Sequence, residues 1–104
     1  MTIKIKVYLA APFFTPEQIA MVEKLEDLLA SFGFYVFSPR KVGGVLKDMP
    51  LEEQEAKAEE IFLSNVYGVR NTQVLLAWTD TRDFGVGVEM GIAYQCGNFI
   101  IGYT

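Results

Sequence analysis

Histidine is absent from the 104 residues, and the chain has one cysteine and four prolines. Without histidine the commonest zinc ligand and general base is missing. A lone cysteine, Cys96, excludes an internal disulfide. Chemistry therefore falls to carboxylates, hydroxyls, amides and backbone groups, with no metal site expected. Positive charge is also scarce: nine Lys and Arg stand against thirteen Asp and Glu, for a formal net charge of -4. Glu52, Glu53, Glu55, Glu59 and Glu60 concentrate the negative charge in one segment. That excludes a general surface for nucleic-acid polymers, which needs clustered cations, but leaves room for a small pocket that takes a phosphorylated metabolite. No apolar run approaches the roughly 18 residues of a membrane span, and the opening residues lack a signal-peptide pattern. The expected compartment is the cytoplasm, with no membrane partner.

What is present is a hydrophobic majority, 51% against 21% charged, which predicts one compact globular domain over 1–104. A chain this short buries only about 60–70% of the surface that its unfolded form exposes, so a further terminal element or a partner subunit would add much. The opening residues alternate Ile3, Ile5, Val7 and Leu9 against Lys4, Lys6 and Tyr8, predicting a first strand with one apolar face that ends at Ala10 and Ala11. Thr15, Pro16 and Gln18 read as N-cap, first helical residue and capping-box partner of a helix carrying Ile19, Val22, Leu25, Leu29 and Phe32, with Gly33 as its stop. FYVF predicts a second strand, and Ser38, Pro39 and Gly43-Gly44 a loop whose tip reaches over a site. A helix from Pro50 to Tyr67 follows, with the stripe Leu51, Ala58, Phe62 and Val66 and with Gly68 as C-cap. Val74 to Trp78 is a nearly continuous apolar strand, as in a parallel sheet covered on both faces. A third helix over 86–96 and a fourth strand at Phe99, Ile100 and Ile101 complete a β-α-β-α-β-α-β order, whose ligands bind beyond the carboxyl ends of the strands.

The segment most informative about chemistry runs from Asp83 to Gly91. Glu89 shares a helical face with Ile92, Ala93 and Cys96. A carboxylate on an apolar stripe needs donors and a favourable dipole, which the amino end of a helix supplies. Glu89 thus reads either as an ionised, oriented nucleophile or base, or as a partly solvated glutamate at the edge of the stripe. Asp83 reads either as a partner carboxylate or as an N-cap, and Asp80 as a turn residue. Gly85, Gly87 and Gly91 serve a tight turn or the close approach of a ligand, yet they form neither a dinucleotide fingerprint nor a phosphate loop. Tyr8 lies where its phenol reaches a carboxylate on the third helix or is simply buried against it. Phe13 and Phe14 suit stacking on a planar base or lidding the core. Arg40 suits a phosphate or solvent, and Cys96 reads as a small core residue.

Taken together, Tyr8-Leu9-Ala10-Ala11-Pro12-Phe13-Phe14, the Val74 to Trp78 strand and Asp83 through Ala93 resemble the nucleoside 2-deoxyribosyltransferase family over nearly the whole chain. The resemblance implies an α/β fold, a flavodoxin-like three-layer sandwich with a mostly parallel sheet of four or five strands. It implies a glutamate that forms a covalent 2-deoxyribosyl intermediate before the sugar passes to another purine or pyrimidine base. By that resemblance Glu89 takes the nucleophile's place in Asp-x-Gly-x-Gly-x-Glu-x-Gly, Asp83 that of the preceding carboxylate, and Tyr8 that of the orienting tyrosine. Substrate contacts are expected from Ala11, Pro12 and Phe13 in the first loop, and from Arg40, Gln73, Gly85 and Met90. The implied partners are nucleosides and free nucleobases, with nucleoside 5′-monophosphates for related hydrolytic branches. No metal or organic cofactor is implied.

Two departures accompany the resemblance. Family members usually place an aspartate just before the central strand, where this chain has Thr72 and Gln73, and an amide is no general acid. They also continue through a further helix and strand. The expectation is therefore either a cavity completed by homo-oligomer formation or a chain lacking a C-terminal element. Two other functions stay open on the sequence. One is an N-glycosidase acting on deoxynucleosides or their 5′-monophosphates, with Arg40 motivating the monophosphate version; the other is a non-catalytic nucleotide-binding protein, motivated by Gln73 and the short terminus.

Overall fold

The computed structural model describes residues 4–42 and 50–104. Ile3 and the Gly43-Gly44 loop lie outside the described residues. The elements in chain order are β1 (Lys6–Ala10), α1 (Pro16–Ser31), β2 (Tyr35–Phe37), α2 (Pro39–Val42), α3 (Leu51–Arg70), β3 (Val74–Trp78), α4 (Phe84–Cys96) and β4 (Phe99–Tyr103). The expected alternation is present, with the short α2 added where a loop is predicted.

Every strand pairing is parallel, in the order β2-β1-β3-β4. The chain starts at β1, steps outward to β2 and returns past β1 to β3 and β4. Strand order therefore reverses between β1 and β3, the place where open α/β sheets bind ligands. This is the flavodoxin-like arrangement. Its two faces are covered by different helices, because side chains alternate along each strand. Leu9 and Ala11 pack with Val22 and Leu25 of α1, whereas Tyr8, Ala10, Leu75 and Ala77 pack with Val69 of α3 and with Val86 and Ala93 of α4. The prediction of a single apolar face on β1 is thus corrected. Helices lie on both sides of this central strand, and Tyr8, assigned to the polar side, is fully buried.

Local signals explain most helix ends. Thr15 accepts a hydrogen bond from the Gln18 N–H while the Gln18 side chain accepts from the Thr15 N–H, a complete capping box with Pro16 in the first turn. Gly33 and Gly97 take positive φ at the ends of α1 and α4.

Elsewhere the structure revises the reading. The helix α4 begins at Phe84, so Gly85, Gly87 and Gly91 lie inside it and make no turn; among the described residues of that turn, Arg82 has the left-handed φ of 52°. Helix α3 runs on to Arg70 and buries Gly68 and Val69, so Gly68 is an interior residue and no C-cap. Leu51 and Phe62, expected on its buried stripe, are exposed. The exposed Cys96 is not in the core.

Candidate active site

The site is assembled from two elements that come together only in the folded chain. Tyr8, in the middle of β1, sends its phenol across the sheet face, and its hydroxyl donates a hydrogen bond to Glu89 Oε2 on α4. Of the two readings the sequence leaves open for Tyr8, the fold makes the pairing, across 81 residues. Burial pushes the Glu89 carboxyl up to about 7. The expectation that the amino end of the helix keeps Glu89 ionised is therefore revised: α4 begins at Phe84, which leaves Glu89 past the first turn, and burial is what acts on its carboxyl. A carboxylate of this kind is poorly solvated and more reactive than an exposed one, provided that it is deprotonated.

Asp83 caps α4, its Oδ2 accepting from the Val86 N–H at 3.1 Å. A Cβ at Gly85 would come within 2.9 Å of that same oxygen, so the glycine leaves room for the cap. An open cavity of about 450 Å³ lies beside this helix end, lined by Asp83 and Met90 together with Thr79, Arg82, Phe84 and Val86 among others. Glu89 is not among the residues that line it, although Val86 and Met90 on the same helix are. The Thr81 hydroxyl in the adjoining turn is buried without a hydrogen-bond partner.

In the first loop, Ala11 and Pro12 are buried and Phe13 is half-buried. Phe13 stacks on the exposed Phe14 at a centroid distance of 5.8 Å. The loop follows the carboxyl end of β1, on the side of the sheet where the strand order reverses.

Two predicted contacts sit elsewhere. Gln73 precedes β3 at the amino edge of the sheet, and its Oε1 accepts from the Lys6 N–H at 2.8 Å. It splices β3 to the start of β1 and is placed away from the carboxyl ends. Arg40 turns toward α1, where its Nε donates to Glu26 Oε2 at 2.8 Å, an oxygen that also accepts from Ser38 Oγ at 2.6 Å. Burial raises the Glu26 carboxyl, but the Arg40 and Ser38 hydrogen bonds and the nearby Arg40 and Lys41 charges together hold it below its ordinary range. The Arg40 guanidinium is thus committed to a buried carboxylate rather than free for a phosphate.

Sequence reasoning missed Phe37. Its ring stacks on Tyr8 with centroids 5.2 Å apart and planes 15° from parallel. The available signal was its place at the carboxyl end of β2, in register with Tyr8.

Among the described residues, no group of three or more Asp, Glu or Cys is arranged to hold a metal ion, and no helix is long and apolar enough to cross a membrane.

The model of the nucleoside 2-deoxyribosyltransferase family matches residues 7–104. A 2-deoxyribosyltransferase from Bacillus psychrosaccharolyticus superposes with a TM-score of 0.74 at 28% identity, covering 93% of this chain and 70% of that one. A conserved protein from Enterococcus faecalis V583 shares the fold, with a TM-score of 0.81 at 21% identity over 96% of this chain and 63% of its own. No curated protein matches the chain.

Proposed function

The chain belongs to the nucleoside 2-deoxyribosyltransferase family, and from that premise we propose that it exchanges purine or pyrimidine bases on 2-deoxyribose through a covalent sugar on Glu89. The observation that carries this reading is the hydrogen bond from the buried Tyr8 hydroxyl to the half-buried Glu89 carboxylate, beside the reversal of strand order. Tyr8 occupies one oxygen and leaves the other to react. In the first half-reaction that oxygen forms a bond to C1′ while the bond from C1′ to the base nitrogen breaks. The electron pair leaves with the base, which takes up a proton. In the second half-reaction a nitrogen of another base attacks C1′, loses its proton, and returns the electron pair of the ester bond to Glu89. Neither step calls for a metal or redox partner.

Asp83 has one oxygen on the α4 amide, and its other oxygen serves a sugar hydroxyl or the departing base. Ala11, Pro12 and Phe13 form the wall that follows β1, while Gly85 and Met90 belong to the α4 end of the site. Arg40 is held by the Glu26 carboxylate, so the reading favours nucleosides over nucleotides. Copies of the chain associate through exposed apolar residues of α3 and α4, among them Phe62, Leu63, Tyr67, Phe84 and Tyr94.

Incubating the protein with a deoxynucleoside and a different free base tests the reaction. The expected result is base exchange that requires Glu89 and survives an excess of water over acceptor. Exchange undiminished in Glu89→Ala would remove the assigned nucleophile, and sugar release independent of acceptor base would replace the transferase with a hydrolase.

A further inference from the structure

We propose that Phe37 and Gly68 are positioning residues, a relay from β2 and α3 that holds the Tyr8 phenol against Glu89. The inference rests on the reading of Glu89 as nucleophile and adds the two groups that set its geometry from behind.

Gly68 is the place to begin, because it lies in the last turn of α3 without serving as its cap, a place taken by Asn71. Its φ is not in the left-handed region, so backbone conformation does not require it. Space does. A Cβ built on Gly68 would lie 2.6, 2.7 and 2.9 Å from Cε1, Cζ and Cδ1 of Phe37, well inside the roughly 3.5–4.0 Å of ordinary carbon contact. The bare backbone of α3 is therefore pressed onto one ring.

That ring has little room to retreat. Behind it stands the Tyr8 ring at 5.2 Å, and strand pairing sets Tyr8 directly beside Phe37. On its other side Tyr8 is paired with the fully buried Leu75. Nor does the helix lift away freely, since the next residue, Val69, is fully buried in the cluster that contains Tyr8 and Leu75. Helix backbone, Phe37 ring, Tyr8 ring and Glu89 carboxylate thus form a continuous series of contacts. A methyl group at position 68 either drives Phe37 into the phenol or expels the ring and removes the wall behind the phenol. Both outcomes weaken the bond from Tyr8 to Glu89.

The titratable group seen in contact with Glu89 is Tyr8 from β1. Among the described residues Glu89 makes no ion pair. A donor hydrogen bond favours the ionised carboxylate, so losing it raises the titration midpoint above the value of about 7 that burial alone brings.

The test is a side-chain carboxyl NMR titration of Glu89, assigned by its loss in Glu89→Gln, which needs no turnover. Tyr8→Phe sets the scale, with a rise of about one to two pH units, the equivalent of one hydrogen bond to a charged group. Gly68→Ala is expected to raise the midpoint by about half that or more. Phe37→Leu gives a smaller rise, and the Gly68→Ala/Phe37→Leu double variant falls back to the Phe37→Leu value, because leucine yields to the new methyl. In activity, Gly68→Ala lowers kcat with little change in KM. Rises that simply add, or a Gly68→Ala protein that melts earlier while its Glu89 midpoint and kcat are unchanged, would overturn the relay. If Gly68→Ala does not fold, Phe37→Leu decides alone: a raised midpoint supports the relay and an unchanged one refutes it. Because the titration is read without substrate, a protein that exchanges no bases loses the proposed function while its Glu89 midpoints still support or refute the relay.

Discussion

Replacing Glu89 by glutamine should stabilise the fold, and the gain should depend on pH. Burial moves the carboxyl from its ordinary 4.5 to about 7. The folded state therefore holds the proton more tightly than the unfolded chain does. Its favourable contribution is fully present below about pH 4.5 and is lost as pH rises through about 7. Above that point folding must bury an ionised carboxylate, at a cost of about 3 kcal/mol by linkage, an upper value because solvent reaches a half-buried group. Glutamine keeps an oxygen to accept the Tyr8 bond and never ionises. Urea unfolding of both proteins from about pH 4 to about pH 8 is the assay. The curves should coincide in acid and separate progressively, with the variant more stable by about 2–3 kcal/mol at the alkaline end. For a domain of this size that amounts to a melting-temperature difference of roughly 10 °C or more. A gain of equal size at every pH, or a loss, would refute the assignment of Glu89 as a carboxylate buried against its own preference, a common feature of groups kept for function.

Two further outcomes follow from the same geometry. Only ionised Glu89 attacks C1′, so kcat/KM for base exchange should rise with pH through about 7 and then level; a flat profile across that range would contradict it. Arg40→Ala leaves the Glu26 carboxylate, which is 6% exposed, with only Ser38 and the more distant Lys41, and should lower unfolding free energy near neutrality by about 2–4 kcal/mol. That loss should shrink as acid protonates Glu26, whose folded carboxyl lies below its ordinary value. The same variant should affect a deoxynucleoside and its 5′-monophosphate alike, and a selective loss for the monophosphate would restore Arg40 as a phosphate contact.

Features that depend on short stretches of chain were legible before folding. The capping box at Thr15 and Gln18, the left-handed stop at Gly33, and the apolar Val74 to Trp78 strand each follow from residues a few positions apart. The Glu-rich segment is a largely exposed helix surface for the same reason. Errors gathered where position in the sheet decides. Tyr8 alternates with apolar neighbours and so reads as polar-side, yet a central strand has no polar side. Arg40 reads as free until α1 brings Glu26 to it, and Gln73 reads as a site residue until the register places it at the amino edge beside Lys6. Gly68 reads as a helix stop because sequence does not show how closely α3 crosses Phe37.

By itself, then, the sequence determined the alternation of strands and helices and the chemical types available to the site: a glutamate on an apolar stripe, a strand-borne tyrosine, no histidine and no thiol pair. Only the tertiary structure decided that Tyr8 meets Glu89, that the carboxyl is pushed up to about 7, and that Phe37 and Gly68 stand behind the phenol. Helical and strand periods are local properties of the chain, whereas desolvation and contact between β1, β2, α3 and α4 exist only once the sheet has closed around them.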